Sequence, residues 1–212
     1  IKETVLFIFL ETLLKSNEEN STKIPMHIKT VPIFKYPFLK DSPSLTYVMG
    51  LMDSKNKVTI YTDVVPDPPI THVVKGIEFM EGIKPTVIIA IGGGSCIDMS
   101  KGMAYFGRKL KHMDIKSFIA VPTTSGTGSE VTSFAVLTDS ETQIKYPLVD
   151  DAVLPDEALL TPLFVKTSPP SVTAFSGMDV LVHALEAYVA TAANNFTDAL
   201  AQQAIELVFT YL

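Results

Sequence analysis

The sequence predicts an α/β fold with a parallel sheet, giving way near its C-terminal end to the start of an all-helical region. Three observations predict it. Short β-branched runs alternate with helical periodicity from Lys57 to Val121, glycine-rich turns follow two of those runs, and two long stretches rich in Ala, Leu and Val lie beyond Pro169-Pro170. Strands alternating with helices imply parallel pairing through right-handed crossovers. The chain divides on this reading into an α/β nucleotide-binding domain over 1-167 and the beginning of a helical domain over 168-212.

Taken in order, residues 1–15 carry helical patterning around an apolar run at 5–10, and 16–23 (SNEENSTK) is a loop of turn formers. Pro32, Pro37 and Pro43 punctuate the apolar pieces that follow, and no glycine occurs before Gly50, so no nucleotide-binding turn is readable there. Val58-Thr59-Ile60-Tyr61 is a strand, stopped by Val65-Pro66-Asp67-Pro68-Pro69. A helix over 71–81 places Val73, Val74, Ile77 and Met80 near helical spacing and ends at Lys84-Pro85, before a buried strand over 86–91. Gly92-Gly93-Gly94-Ser95 then leads into a helix over 97–106, and 118–121 starts the next strand. Residues 134–137 and 145–149, joined through Asp139-Ser140-Glu141-Thr142, form a hairpin, and 172–191 and 197–212 are helices.

Composition narrows the function classes. At 212 residues the chain holds one α/β domain and part of another. Hydrophobic residues at 47% against 19% charged argue for a buried core and against disorder. A net charge of -6 without clustered Lys and Arg predicts no nucleic-acid partner. The single cysteine, Cys96, cannot close an internal disulfide, so a cytoplasmic setting is expected. The run at 5–10 is far short of the roughly 20 residues that span a bilayer, and it lacks a small-residue cleavage site, so neither membrane nor secretion is expected.

Two loops carry the chemistry of the α/β half. Gly92-Gly93-Gly94-Ser95 follows a strand and opens a helix, the context in which glycine lets a backbone approach a pyrophosphate and helix N–H groups hold it. A flexible turn would look the same, because the spacing matches neither of the two common nucleotide fingerprints. The second loop, 122–132, also follows a strand and is dense in hydroxyls and glycines, which grip phosphate and ribose without adding charge. Two such loops at adjacent strand ends would face one crevice. Further on, Asp179 and His183 lie four apart on one helix face, so that a carboxylate and an imidazole can point at one cation. The same spacing suits a pair that merely supports the helix; apolar neighbours such as Val180, Leu181 and Leu185 make an idle buried pair costly and favour ligation.

Together GGGSCIDMSKGMA, IAVPTTSGTGSEVTSFAVLTD, KYPLVDDAVLPDEALL and PPSVTAFSGMDVLVHALEAYVA, over roughly 57–212, resemble the iron-containing, or group III, alcohol dehydrogenase family in wording and order. The resemblance implies a Rossmann-like domain followed by a helical one, in a dehydroquinate synthase-like architecture, with a divalent metal, iron or alternatively zinc, in the cleft between them. It implies NAD or NADP as cofactor, with Gly93, Gly94 and Ser95 in the pyrophosphate loop, Thr123, Thr124 and Thr127 in the second loop, Lys145 on the hairpin and Asp67 beside the cofactor. Asp98, Thr132 and Phe134 belong to the same implied cofactor set, and Asp179 and His183 match the first two metal ligands. The implied reaction passes hydride between the cofactor and a small primary alcohol, diol or aldehyde while the metal polarises the substrate oxygen. No side-chain nucleophile is required, which leaves Cys96, where many relatives carry Pro, a role in packing or in lining the phosphate loop. The implied assembly is a homo-oligomer, a dimer or larger.

The sequence also departs from the family. Two further histidine ligands are expected downstream, yet none follows His183, and His27, His72 and His112 all lie upstream. No strand ending in a ribose-contacting aspartate is recognisable before Lys57, and Asp63 falls on a later strand, so NAD and NADP both stay open. The link over 107–116 is shorter than the resemblance leads one to expect. With a last helix that reaches Leu212 without a stop signal, these gaps predict a piece of a longer chain. A glycerol dehydrogenase-like relative, or a nucleotide-binding assembly subunit without catalysis, are the alternatives.

Overall fold

The computed structural model describes residues 30–35, 57–166 and 168–212, the first of these segments through its backbone. The helix and loop read over 1–23, and His27, lie outside the described residues. Five strands form one sheet in the order β2-β1-β3-β4-β7, all parallel: β1 (Thr30–Lys35), β2 (Lys57–Tyr61), β3 (Val87–Gly92), β4 (Ser117–Pro122) and the short β7 (Glu157–Ala158). The chain lays β2 on one side of β1 and β3 on the other, so the order reverses between β1 and β3. Open α/β sheets bind ligands at such a point, outside the carboxyl ends of the strands.

β1 is the element that sequence reading missed, and it lies inside the sheet. Proline punctuation hid it. Pro32 is tolerated because it pairs only with Thr59 of β2, while the ladder to β3 begins one residue later, at Ile33. β3 is buried along its whole length, as its unbroken run VIIAIG requires of a parallel strand covered on both faces.

Helix α1 (Ile70–Ile83) buries Val73, Gly76, Ile77 and Met80, one stripe at helical spacing, and ends where Lys84 turns left-handed (φ 49°) and donates its N–H to the Met80 carbonyl. Helix α2 (Gly94–Lys111) begins inside the glycine turn, three residues before the predicted start, and runs to a left-handed His112. Met80, Ile88, Met99, Met103 and Phe118 form the main core between these helices and one sheet face. On the other face Val87, Ile89, Ile91 and Val121 meet Phe164 of the four-residue helix α3 (Pro162–Val165).

The hairpin β5 (Phe134–Thr138) and β6 (Lys145–Val149) forms a separate antiparallel pair, with Leu137 in the core beside α2. Two long helices follow. Helix α4 (Pro170–Val189) opens on Pro170, where a missing N–H costs nothing, and α5 (Asn195–Tyr211) opens on a capping box between Asn194 and Thr197. They pack on each other, with the Tyr188 hydroxyl accepting from Gln202 at 3.4 Å, but Ala184 and Ala201 are their only buried residues among those described. No helix among the described residues is long and apolar enough to cross a membrane.

Candidate cofactor crevice and metal-ligand pair

Because β3 and β4 pair in register to their ends, Gly92 opposite Pro122, the two glycine-rich loops leave the sheet side by side at the switch point. Gly93 caps α2 in extended backbone (φ -78°, ψ -174°) and no side chain caps that helix. Its first N–H groups therefore face outward at the positive end of an 18-residue helix, a ready site for an anion. The second loop closes over the first. A Cβ on Gly94 would lie 2.7 Å from Thr127 Cγ2, and one on Gly93 3.2 Å from Thr124 Oγ1. Thus glycine at 94 is a steric requirement of loop contact, and a cradle of backbone donors and threonine hydroxyls fits a pyrophosphate.

Asp67, Ser95 and Lys145 converge beside this cradle from the β2–α1 loop, α2 and β6. Asp67 is held left-handed (φ 47°), donates its N–H to Ser95 Oγ at 3.3 Å, and accepts from Lys145 Nζ at 2.7 Å through its carboxylate. Both charged side chains are more than half exposed. The pair is thus open to a ligand and contributes little to stability.

Asp98, Thr132 and Phe134 are arranged differently. Asp98 Oδ1 accepts from the Ser129 hydroxyl at 2.5 Å and Oδ2 from the Val136 N–H at 3.0 Å. Thr132 and Phe134 offer their carbonyls, each at 2.7 Å, to the ammonium of Lys101, which also reaches Thr132 Oγ1 at 3.3 Å. These three residues line the seam between α2 and the second loop rather than the glycine cradle. Burial pushes the Asp98 carboxyl above the usual range against its bonds to Ser129 and Val136 and the charge of Lys101. Burial likewise pushes Lys101 down to about 8, against the pull of Asp98 and Glu130. Lys101 went unremarked in the sequence. Its signal was there, as a lysine three residues after Asp98 on a helix that opens at a phosphate loop.

Asp63 follows the end of β2 by two residues, on the same β2–α1 loop as Asp67. β2 is the edge strand, with β1 between it and β3, whose end carries the first glycine loop. The carboxylate is exposed, 3.7 Å from His72 Nε2. Burial, then the Asp63 charge, raises the Tyr61 hydroxyl to about 12.

The Asp179–His183 pair lies on α4 with Oδ1 and Nε2 3.5 Å apart, near enough to share one cation. The side chains are 41% and 58% exposed, so the argument from a costly buried pair fails. Their apolar neighbours Val182 and Leu185 are exposed too, because α5 covers only part of α4. A carboxylate and an imidazole on adjacent turns suit a borderline divalent ion such as iron or zinc and supply two donors. Among the described residues no group of three or more His, Cys, Asp or Glu side chains comes together. An open cleft of about 670 Å3 is lined by the second loop, at Thr124, Ser125 and Gly126, and by α4, at Thr173 and Val180, and Gly126 also packs against Ser176 of α4. Cys96 is buried behind the first loop, with Sγ directed at the Ile91 carbonyl (3.6 Å), and burial pushes its thiol up to about 12. That environment supports packing and no nucleophilic role.

Comparison with known proteins bears on this arrangement. The family model "Iron-containing alcohol dehydrogenase" matches residues 18–162, and "Fe-containing alcohol dehydrogenase family, C-terminal" matches 173–212. The chain is 48% identical over 175 residues to the 1-propanol dehydrogenase PduQ of Citrobacter freundii, covering 82% of this chain and 47% of that protein. It is 44% identical over 180 residues to the NADPH-dependent butanol dehydrogenase of Clostridium saccharobutylicum, covering 78% and 46%. The crystal structure of sulfoacetaldehyde reductase from Bifidobacterium kashiwanohense in complex with NAD+ superposes with a TM-score of 0.77 at 32% identity, covering 86% and 51%. The chain thus spans about half the length of the curated relatives it matches.

Proposed function

The chain belongs to the iron-containing alcohol dehydrogenase family, and from that premise we propose that it supplies the cofactor-binding half and two metal ligands of an NAD(H)-linked oxidoreductase acting on small alcohols and aldehydes. The observation that carries the proposal is the interlocking of Gly93 and Gly94 with Thr124 and Thr127 at adjacent strand ends, beside an open cleft that the helix bearing Asp179 and His183 also lines. The α/β unit over 1-167 is then the nucleotide-binding domain and 168-212 the beginning of the metal-binding one.

In this reading the N-terminal N–H groups of α2 and the hydroxyls of Thr124 and Thr127 hold the pyrophosphate, and Lys145 exchanges its contact with Asp67 for the phosphate charge. Asp63, exposed on the same loop as Asp67, would accept from the adenine ribose hydroxyls; its negative charge would repel a 2′-phosphate and favour NAD over NADP. Asp179 and His183 would hold a divalent ion together with ligands outside the described residues, and that ion would supply Lewis-acid polarisation of a hydroxyl or carbonyl oxygen. A bound NAD+ would take the hydride of the alcohol, with the proton going to solvent and the aldehyde left. PduQ, named as a 1-propanol dehydrogenase, and the butanol dehydrogenase support short primary alcohols as the substrate class.

The test is metal content and NAD(H)- or NADP(H)-linked turnover of the full-length protein on one- to four-carbon alcohols, diols and their aldehydes. About one iron or zinc per chain with NAD-linked turnover supports the proposal. Tight NADH binding with neither metal nor turnover would leave a nucleotide-binding assembly subunit.

A further inference from the structure

We propose that Lys101, together with Asp98, is a positioning residue that locks the second cofactor loop onto the helix carrying the first, so that cofactor affinity follows the charge on Lys101. The proposal rests on the cofactor reading above. Lys101 is fully buried two turns into α2. Its ammonium has three protons and three acceptors: the Thr132 carbonyl, Thr132 Oγ1 and the Phe134 carbonyl. One turn earlier on the same face, Asp98 takes the Ser129 hydroxyl and the Val136 N–H. Two side chains of one helix thereby fix the backbone from 129 to 136. That segment follows Thr127, which presses on Gly94, and leads into the hairpin that carries Lys145. A shift of the segment therefore moves gripping groups on both sides of the crevice.

The charged groups facing Lys101 among the described residues are Asp98 on its own helix and Glu130 on the short turn Ser129–Val131. Burial outweighs both and lowers the proton affinity to about 8. When the proton leaves for solvent, the neutral amine keeps two donors for three acceptors, and what it donates is weaker. Stability moves the other way. Between about 8 and the ordinary lysine value of 10.5 the unfolded chain binds the proton and the folded chain does not, so folding becomes more favourable as pH rises through this window. Cofactor grip and fold stability thus diverge above pH 8, which a lysine that merely fills space cannot produce.

The experiment is NADH titration by fluorescence from pH 6.5 to 9.5, with a melting curve at each pH, on the full-length protein, Lys101→Met and Asp98→Asn. For the native protein we expect the Kd to rise about 10-fold around pH 8 while the melting temperature does not fall. Lys101→Met should bind about 10-fold more weakly at pH 7 and show no step near pH 8. Asp98→Asn should move the step to lower pH, because the lysine loses its strongest charge partner; this variant carries the test if Lys101→Met does not fold. A flat native profile, a native-like step in Lys101→Met, or an unmoved midpoint in Asp98→Asn overturns the proposal. A native protein that binds no NADH at any pH overturns the cofactor reading, and this inference with it.

Discussion

The seam along α2 and the outer face of α4 each hold an acidic and a basic side chain, in opposite settings. Asp98 and Lys101 are enclosed, with both carboxylate oxygens and the ammonium engaged by the second loop and the start of β5. Among the described residues Asp179 and His183 form an ion pair with each other and with no other group, on an open helix flanked by exposed Phe175, Met178 and Val182. An enclosed pair fixes geometry, because moving either partner strands a buried charge. An open pair is available to a ligand and fixes nothing by itself. On the proposed reading the cofactor crevice is built within this chain, whereas the metal pair offers two donors to a site finished by other groups.

The largest effect that would sharpen this contrast falls on the open pair. Asp179→Ala or His183→Ala should lower turnover on the order of 100-fold or more in the full-length protein. NADH affinity should stay within about twofold, as measured by fluorescence titration beside steady-state kinetics. Loss of NADH binding in either variant would break the contrast.

The crevice responds next. A branched side chain at position 94 collides with Thr127, so Gly94→Val should weaken NADH binding about 10- to 100-fold, with a fall of about 1–3 kcal/mol in unfolding free energy. Adding Thr127→Ala should recover part of that loss, because it removes the methyl the valine meets; no recovery would mean that the loops do not interlock as described. Asp63→Gly should then raise the NADP-to-NAD ratio of kcat/KM by about 10-fold, since the repelling carboxylate is gone. A ratio that stays put removes Asp63 from the ribose site.

Lys145→Ala is predicted to change unfolding free energy by less than about 0.5 kcal/mol, since its ion pair with Asp67 is largely exposed. NADH affinity should drop several-fold all the same, which identifies the pair as a ligand contact. The smallest effect belongs to Cys96, whose thiol burial pushes up to about 12; it should resist alkylation at pH 8 until the protein unfolds. Rapid labelling of folded protein would show that the first loop opens.

Much of this was legible in the sequence because local pattern and tertiary role coincided. An unbroken apolar run became the buried β3, the glycine turn opened α2, and 134–149 formed the hairpin. β1 was illegible because its proline breaks the strand pattern, and only the pairing of its two sides with β2 and β3 explains why proline is tolerated. The seam was half legible: Asp98, Thr132 and Phe134 were singled out, but the lysine tying them together shows only when residues about thirty apart in sequence are seen within 3 Å. The metal pair was legible from spacing and its exposure was not, because exposure depends on what packs over α4.

The central claim, that the crevice grips the cofactor independently of the metal pair, is tested most directly by titrating NADH into metal-stripped full-length protein, native and Gly94→Val. The account predicts that the native protein, though inactive, binds NADH within about twofold of its metal-loaded affinity, and that Gly94→Val binds at least 10-fold more weakly. Native binding that disappears with the metal, or a Gly94→Val protein that binds like the native one, would contradict it.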